Sequence, residues 1–314
     1  MMSGNKLAAF GGPGWSPRIA DSRSEIGSIW SPCGINLEWT TLKEVLLHRP
    51  GVEMEGITDP NLLQMRDIPD PDRMRTQHAG LASAYMKHGV NVVYVDPAEI
   101  PPPNLLFVAD LLFMTPEGAI VGRPASTVRA GEERYIAARL AALGIPVLKT
   151  VHGNGTFEGA DAMWVDEKTV FVATGLRTNA EGVSQVRNIL EEMGVEVIQV
   201  QLPREAMHLM GTYRVVDRNL VFAWEGRVPS PVVDYLMERE VMVHLMPDTD
   251  ELAHGFALNF VTLGPRSILM PAGNEKSQQF LSDRGVVCHT IDVSELQKAC
   301  GSIGCMTGVL RRAI

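Results

Sequence analysis

The sequence has few cysteines, and none of them forms a closely spaced pair. The four are Cys33, Cys288, Cys300 and Cys305 in a chain of 314 residues. This number is too small to cross-link a chain of that length, so we expect free thiols. The first three have no His or Cys at metal-ligand spacing, which indicates structural cysteines and predicts no metal site.

Positive charge and long apolar runs are also scarce. The chain has 28 Lys and Arg against 37 Asp and Glu, and its net charge of −9 argues against binding to nucleic-acid backbones. No uncharged apolar run approaches the roughly 18 residues that span a bilayer, and residues 1–20 lack the apolar core of a signal peptide. We therefore expect a cytoplasmic protein with no nucleic-acid or membrane partner and with small cations as ligands. The oligomeric state stays open, a homo-oligomer included.

A repeated pattern occupies most of the chain. A helix-like segment that ends in Gly and runs into a short β-branched strand occurs in YMKHGVNVVYV, LAALGIPVLKT, LEEMGVEVIQV and LSDRGVVCHTI. MEREVMVHLM is a fifth copy, with Glu240 in the Gly position. Gly there suits the left-handed residue that ends a helix, and Val/Ile runs suit buried strands. Strand-like segments precede each helix, so the pattern predicts five ββαβ units of roughly 50 residues.

Five such units leave no room for a second domain. We predict one α/β catalytic domain over residues 37–314, a closed five-bladed ring of ββαβ units whose first strands face a central channel. A doubly wound α/β sheet is the alternative, but the paired strands and the absence of a Gly-rich phosphate loop argue against it. Residues 1–36 are rich in Gly, Pro and Ser and predict an irregular arm or, with Trp15 and Trp30, a lid.

In such a ring, the starts of successive units converge, and the starts carry polar residues. These are Asp110, Glu158, Asp161, His208, Asn259 and Cys305. Acids can hold a planar cation by paired hydrogen bonds, a thiolate can attack its carbon, and an imidazole can move protons. Each residue type also has a structural interpretation: the first acid as a turn residue, the histidine as an interfacial residue and the cysteine as a small buried side chain.

The same segments resemble the guanidine-modifying penteins, which include arginine deiminases, dimethylarginine dimethylaminohydrolases and amidinotransferases. FEGAD followed by RTN resembles the FEGGD and RTN segments of the hydrolases, and CMTGVLRR resembles the terminal nucleophile strand. LKEVLLHRPGVEM resembles the amino-terminal strand of arginine deiminases. The segments occur in the family's order over residues 38–314, and the resemblance implies a five-bladed α/β propeller.

The resemblance also implies residue roles. Cys305 would be the nucleophile, His208 the general acid and base, and Glu158 the histidine's partner and a guanidinium ligand. Asp110 would be the second guanidinium ligand, and we place Asp161 and Asn259 with it in the predicted substrate-binding set.

Two arginines match those that hold a substrate carboxylate in the family. Arg129 follows Asp110, and Arg177 follows Glu158, at the same interval. Surface salt bridges are their alternative role.

The implied activity is hydrolysis of a C–N bond of arginine or an N-substituted arginine to citrulline, through a thiouronium on Cys305 and without a cofactor. Met210 stands where deiminases have an acid, which leaves room for an alkylated nitrogen. An amidinotransferase is the alternative, although the related amidinotransferases carry Asp where this chain has Glu158. A non-catalytic pentein binding protein is a second alternative, but it would have no reason to keep these groups together.

Overall fold

The computed structural model describes residues 7–247 and 249–313, which form five three-stranded sheets. The strands are β1 Leu42–Leu47, β2 Asn91–Tyr94, β3 Leu112–Thr115, β4 Gly118–Val121, β5 Val147–Thr150, β6 Ala162–Asp166, β7 Thr169–Thr174, β8 Glu196–Gln201, β9 Tyr213–Asp217, β10 Leu220–Trp224, β11 Met242–Met246, β12 Val261–Gly264, β13 Ser267–Pro271, β14 Val287–Ile291 and β15 Gly308–Arg312. The α-helices are α1 Ser22–Glu25, α2 Pro71–Lys87, α3 Glu133–Ala142, α4 Ala180–Glu192, α5 Ser230–Glu238, α6 Asp250–Ala253, α7 Glu275–Ser282 and α8 Ile303–Met306.

All five sheets share one topology. The middle strand pairs antiparallel with one neighbour and parallel with the other, as β7 does with β6 and β8. A helix provides the crossover to the parallel strand, here α4 between β7 and β8. The predicted ββαβ units are confirmed as β3-β4-α3-β5, β6-β7-α4-β8, β9-β10-α5-β11 and β12-β13-α7-β14.

The first unit is completed by the end of the chain. The sequence shows only one strand ahead of α2, and in the structure β15 supplies the other by pairing antiparallel with β1. The parallel partner of β1 is β2. Neighbouring units touch through their first strands, since β15 contacts β3 and β9 contacts β12. The ring therefore closes between its two chain ends, and this brings Cys305 beside residues from the middle of the sequence.

The core lies between the sheets and their crossover helices. The strand β7 is buried along its whole length, because both of its faces are covered. The helix α4 buries Val183, Val186 and Leu190, which recur at helical spacing on one face. None of the helices in the described ranges has the length and apolarity needed to cross a bilayer.

Short helical turns precede the inner strands. Turns at Val108–Asp110, Gly159–Asp161 and Leu209–Gly211 lead into β3, β6 and β9, and α8 leads into β15. The apolar segment LLFVADLLFM is therefore a strand only from Leu112 onwards, and its first half forms helical turns. The partner strand β4 extends only to Val121, opposite Leu112, so earlier backbone groups satisfy their hydrogen bonds locally.

The amino-terminal segment packs along the outside of the ring in its described part. The Gly34 amide donates to Leu310, and the Ser31 amide donates to Gly144. Trp15 and Trp30 are exposed, and neither lines the cavities that adjoin Cys305. Residues 1–6 of the predicted arm lie outside the described residues.

The predicted helix ends are confirmed by their backbone angles. Gly89, Gly144, Gly194 and Gly285 have φ of 75°, 72°, 73° and 80°, and Glu240 has φ of 60° in the equivalent place. A residue with a Cβ is disfavoured in this left-handed region. The fourth unit therefore stores backbone strain that the other four avoid.

Replacing Glu240 with Gly should relieve that strain. Because Glu240 is exposed, we expect the free energy of unfolding to rise by roughly 0.5–1 kcal/mol, measured by urea denaturation. The reverse change, Gly194→Ala, meets no atom within 4 Å and should lower stability by a similar amount. A Glu240→Gly variant no more stable than the parent would contradict this account.

Candidate active site

His208 lies between two carboxylates where the inner strands converge. Its Nε2 is 2.6 Å from Oε2 of Glu158, and its Nδ1 is 3.8 Å from Oδ1 of Asp110. Burial opposes the charged imidazole, but Asp110, Glu158 and Asp161 outweigh burial and raise the pKa of His208 to about 9. At neutral pH this residue is therefore an imidazolium that can donate a proton.

Glu158 is fully buried and ionised. Burial favours its neutral form, but the hydrogen bond and charge of His208, followed by the charges of Arg129 and Arg177, hold its pKa below the usual range. Its Oε1 also accepts a hydrogen bond from the amide of Ala125 at 3.3 Å. The predicted pairing of Glu158 with His208 is present in the geometry.

Cys305 forms two hydrogen bonds with one side-chain amide. Asn259 donates from Nδ2 to Sγ at 3.0 Å and accepts from the Cys305 amide at 3.2 Å. Asn259 is predicted among the substrate ligands, and in the structure its side chain bonds to Cys305. Two contacts from one amide fix both the backbone and the sulfur of Cys305.

The Cys305 thiol is neutral in the unliganded site. Burial and the charge of Asp110 raise its pKa to about 11, although hydrogen bonds from Ser302 and Asn259 oppose them. Desolvation of the sulfur therefore outweighs the groups that favour the thiolate.

Arg129 has different partners from those expected. Its Nη1 donates to Asp110 Oδ2 at 2.5 Å, and its Nε and Nη2 donate to Glu132 Oε2 at 3.0 and 2.8 Å. Nη2 also reaches the carbonyl oxygens of Asn104 and Phe107. With its donors taken up by buried protein groups, Arg129 does not point a free edge at a substrate carboxylate. It shows instead that these acids can hold a guanidinium.

Asp161 is likewise a supporting residue. It has no exposed surface, its Oδ2 accepts from the Thr178 hydroxyl at 2.7 Å and its Oδ1 accepts from the Leu209 amide at 3.1 Å. Burial raises its pKa to about 6. These bonds tie the segment after Glu158 to the turn that carries His208, and a role of Asp161 in substrate binding stays a prediction.

Arg177 remains at the cavity. Its Nη1 lies 3.5 Å from Glu158 Oε1, and its side chain is 12% exposed. The Thr178 hydroxyl beside it donates to Asp161, which fixes the local backbone. Of the two predicted carboxylate ligands, Arg177 is the one placed to meet a ligand.

Two cavities meet at the His208–Cys305 pair. The smaller, of about 30 Å³, is lined by Asp110, Arg129, Arg177 and Asn104 in addition to that pair. The larger, of about 420 Å³, extends on the side of Met210 and Trp224. Among the described residues, Asp110 Oδ1 and Asn104 Oδ1 are buried without a hydrogen-bond partner, and both residues line the smaller cavity.

Arg214 is a residue that the sequence analysis did not identify. It lies on β9, is buried, and donates from Nε to the Leu258 carbonyl, while its Nη2 has no hydrogen-bond partner. A Cβ on Gly304 would collide with that Nη2, so the guanidinium lies against the residue that precedes Cys305. A basic residue inside the otherwise apolar segment YRVV was the available signal.

The acid and histidine cluster could also hold a divalent ion by its spacing. One ligand atom each of Asp110, Glu158 and His208 lies within 4.8 Å of the others. Those carboxylates already contact the cationic groups of Arg129 and His208, which an ion would have to displace. The donor set suits a guanidinium, and the absence of a metal cofactor stays a prediction.

A ring of five ββαβ units with an acid, imidazole and thiol site at its centre defines the guanidine-modifying pentein superfamily, and this chain is a member. A family model described as N,N dimethylarginine dimethylhydrolase, eukaryotic, matches residues 70–312, and the chain belongs to that family.

Individual relatives agree with this assignment. The chain is 28% identical over 278 residues to N(G),N(G)-dimethylarginine dimethylaminohydrolase of Streptomyces coelicolor, covering 86% of this chain and 97% of the relative. A cysteine-to-serine mutant of the Pseudomonas aeruginosa enzyme complexed with citrulline superposes with a TM-score of 0.71 at 23% identity, over 85% of this chain and 98% of that one. SxtG, an amidinotransferase from Microseira wollei, gives a TM-score of 0.73 at 16% identity over 90% and 98%.

The raised pKa of Cys305 predicts its reactivity. Since only the thiolate reacts, alkylation by iodoacetamide should be slow at pH 7 and accelerate with a midpoint near pH 11, against 9.0 for an ordinary thiol. Asn259→Ala removes a hydrogen bond to the sulfur and should move the midpoint higher. Mass spectrometry of the Cys305 peptide, with Cys305→Ser as the blank, gives the rates. A midpoint below pH 8 would show that the site ionises this thiol unaided.

Proposed function

We propose that this chain hydrolyses a C–N bond of arginine or an N-substituted arginine and releases citrulline. The observation that carries the proposal is the smaller cavity, where the sulfur of Cys305, the imidazolium of His208 and the unsatisfied Oδ1 of Asp110 meet. A guanidinium supplies the N–H donors that this acceptor lacks, together with an electrophilic carbon. The names of relatives at 25–28% identity support the same class of reaction.

The substrate itself completes the activation of the nucleophile. A guanidinium bound between Asp110 and Glu158 brings a positive charge next to Sγ, which favours the thiolate and releases the thiol proton to solvent. The sulfur then bonds to the guanidinium carbon. His208, protonated at neutral pH, gives its proton to the leaving nitrogen as the C–N bond breaks.

The second half of the reaction uses the same imidazole as a base. After the amine leaves, neutral His208 takes a proton from water while the water oxygen attacks the thiouronium carbon. The C–S bond breaks, the ureido product leaves, and Cys305 and His208 return to their starting states. The smaller cavity is about 30 Å³, and Gln64, whose side-chain amide donates to the Ser126 hydroxyl at 2.6 Å, forms part of its lining.

An amidinotransferase is the second candidate, and the larger cavity favours it. About 420 Å³ beside Cys305 is room enough for an acceptor amine in place of water. Both reactions pass through a thiouronium on Cys305. In hydrolysis the amino-acid chain stays on it and water attacks, whereas in transfer the amine that carries the chain leaves first and the acceptor amine attacks.

The direct test is to incubate the protein with arginine, monomethylarginine and dimethylarginine, with and without added amines, and to measure both the ureido product and the guanidino product of the added amine. Citrulline formed without an amine establishes hydrolysis. Amidination of the added amine without citrulline would replace hydrolysis with transfer, and no reaction with any of them would refute both.

Replacing Cys305 with Ser should abolish turnover with the fold intact, because a hydroxyl is a far weaker nucleophile at neutral pH. Cys300→Ser is the matched control, since Cys300 lines the same cavities and should be dispensable. His208→Ala should lower kcat by about 10²–10⁴-fold through loss of proton transfer. Steady-state kinetics measure both, and wild-type turnover in Cys305→Ser would eliminate the covalent mechanism.

Arg177 should recognise the substrate carboxylate. Arg177→Gln should raise KM for arginine roughly tenfold or more through loss of a charged hydrogen bond, and should hardly change turnover of agmatine, which lacks the carboxylate. Arg187→Gln is the control, because Arg187 lies on α4 and pairs with Glu191 at 3.9 Å. Equal losses on both substrates would mean that Arg177 only supports Glu158.

A further inference from the structure

The larger cavity is the feature that the proposed reaction leaves unexplained. Its volume of about 420 Å³ falls in the range of small-molecule sites and far exceeds what ammonia or dimethylamine would fill. It shares Met207, His208, Cys300 and Cys305 with the smaller cavity. His208 and Cys305 therefore lie between the two cavities. The smaller cavity contains Asp110 and would hold the guanidinium, and the larger cavity is a second compartment.

The position of His208 indicates which part of the substrate lies in the larger cavity. It gives its proton to the leaving nitrogen, so this nitrogen lies within hydrogen-bond reach of the imidazole. The Asp110 side is small and occupied by the guanidinium and its acids. The substituent on the leaving nitrogen consequently extends into the larger cavity.

The cavity wall is apolar with two cationic groups. Met207, Met210, Trp224, Phe256 and Leu258 provide its apolar surface.

The cationic groups belong to Arg66 and Arg227, which lie against the aromatic rings of Phe256 and Trp224 at 5.2 and 4.8 Å. Stacking restricts both guanidinium groups before any ligand arrives.

Neither guanidinium is neutralised by the rest of the described chain. Arg66 donates to the His254 carbonyl at 3.2 Å, and Arg227 donates to the Glu205 carbonyl at 2.6 Å. Within residues 7–247 and 249–313, no carboxylate forms an ion pair with either of them. Glu205 also lines the cavity, but its side chain is exposed. In a chain with a net charge of −9, two guanidinium groups that have no ion pair within the described ranges favour an anionic ligand in this cavity.

We infer that the larger cavity is a subsite for an amine that carries a carboxylate, bound by Arg66 and Arg227, with its carbon chain against the apolar wall. The inference rests on the proposed function, because it assigns a binding site to the substituent on the nitrogen that leaves in that reaction. The substrate is then a guanidine substituted on two nitrogens, with an amino acid on each side. The same subsite would hold a carboxylated acceptor if an amine replaced water.

Two matched substrates test the subsite. Nω-carboxymethyl-arginine and Nω-isobutyl-arginine have equal numbers of heavy atoms on the leaving nitrogen and differ in charge. We expect kcat/KM to favour the carboxymethyl compound by about tenfold or more, and Arg66→Gln with Arg227→Gln to remove that preference without lowering kcat/KM for the isobutyl compound. Arg239→Gln is the control, since Arg239 stacks on Tyr235 away from the cavity.

Binding separates this inference from the hydrolase proposal. Calorimetric titration of Cys305→Ser protein with both compounds should show the same tenfold preference, again abolished in the Arg66 and Arg227 double variant. Equal affinity for the two compounds, or a preference that survives the double substitution, would overturn the subsite. A binding preference without turnover of any arginine derivative by the unsubstituted protein would uphold the subsite and refute hydrolysis.

Discussion

The buried charge of Glu158 is the constraint around which the site is organised. A carboxylate with no exposed surface is costly unless positive groups surround it, and three do so. His208 donates to one oxygen, Arg177 approaches the other, and Arg129 lies 3.7 Å away. Asp110 and Glu158 together keep His208 charged, and Glu158 also lies against Arg177 at the cavity.

The thiol is subject to the opposite balance. Burial and the charge of Asp110 raise the pKa of Cys305 and favour the neutral thiol, while Asn259 and the Arg214 guanidinium favour the thiolate. Burial and Asp110 prevail, so the pKa of the Cys305 thiol is about 11, above that of an ordinary thiol. Under the proposed mechanism, a bound cation would shift this balance towards the thiolate.

Ring closure connects the fold to this chemistry. The strand β15 completes the first sheet, and the α8 turn just before it carries Cys305. The other inner strands begin after equivalent turns, so each unit presents its polar residue at the same point of the ring. One topology repeated five times thus creates a site from residues spread over nearly 200 positions, roughly from Asp110 to Cys305.

The sequence by itself determined the repeat, the helix ends and the identity of the central groups. Periodic Gly and Val/Ile runs are local signals, so the five ββαβ units and the left-handed Glu240 could be predicted from them. Side-chain partners depend on distance in space, and only the tertiary structure decided those. It turned Arg129 onto Asp110 and Asn259 onto Cys305, because buried donors and acceptors must satisfy one another before any ligand arrives.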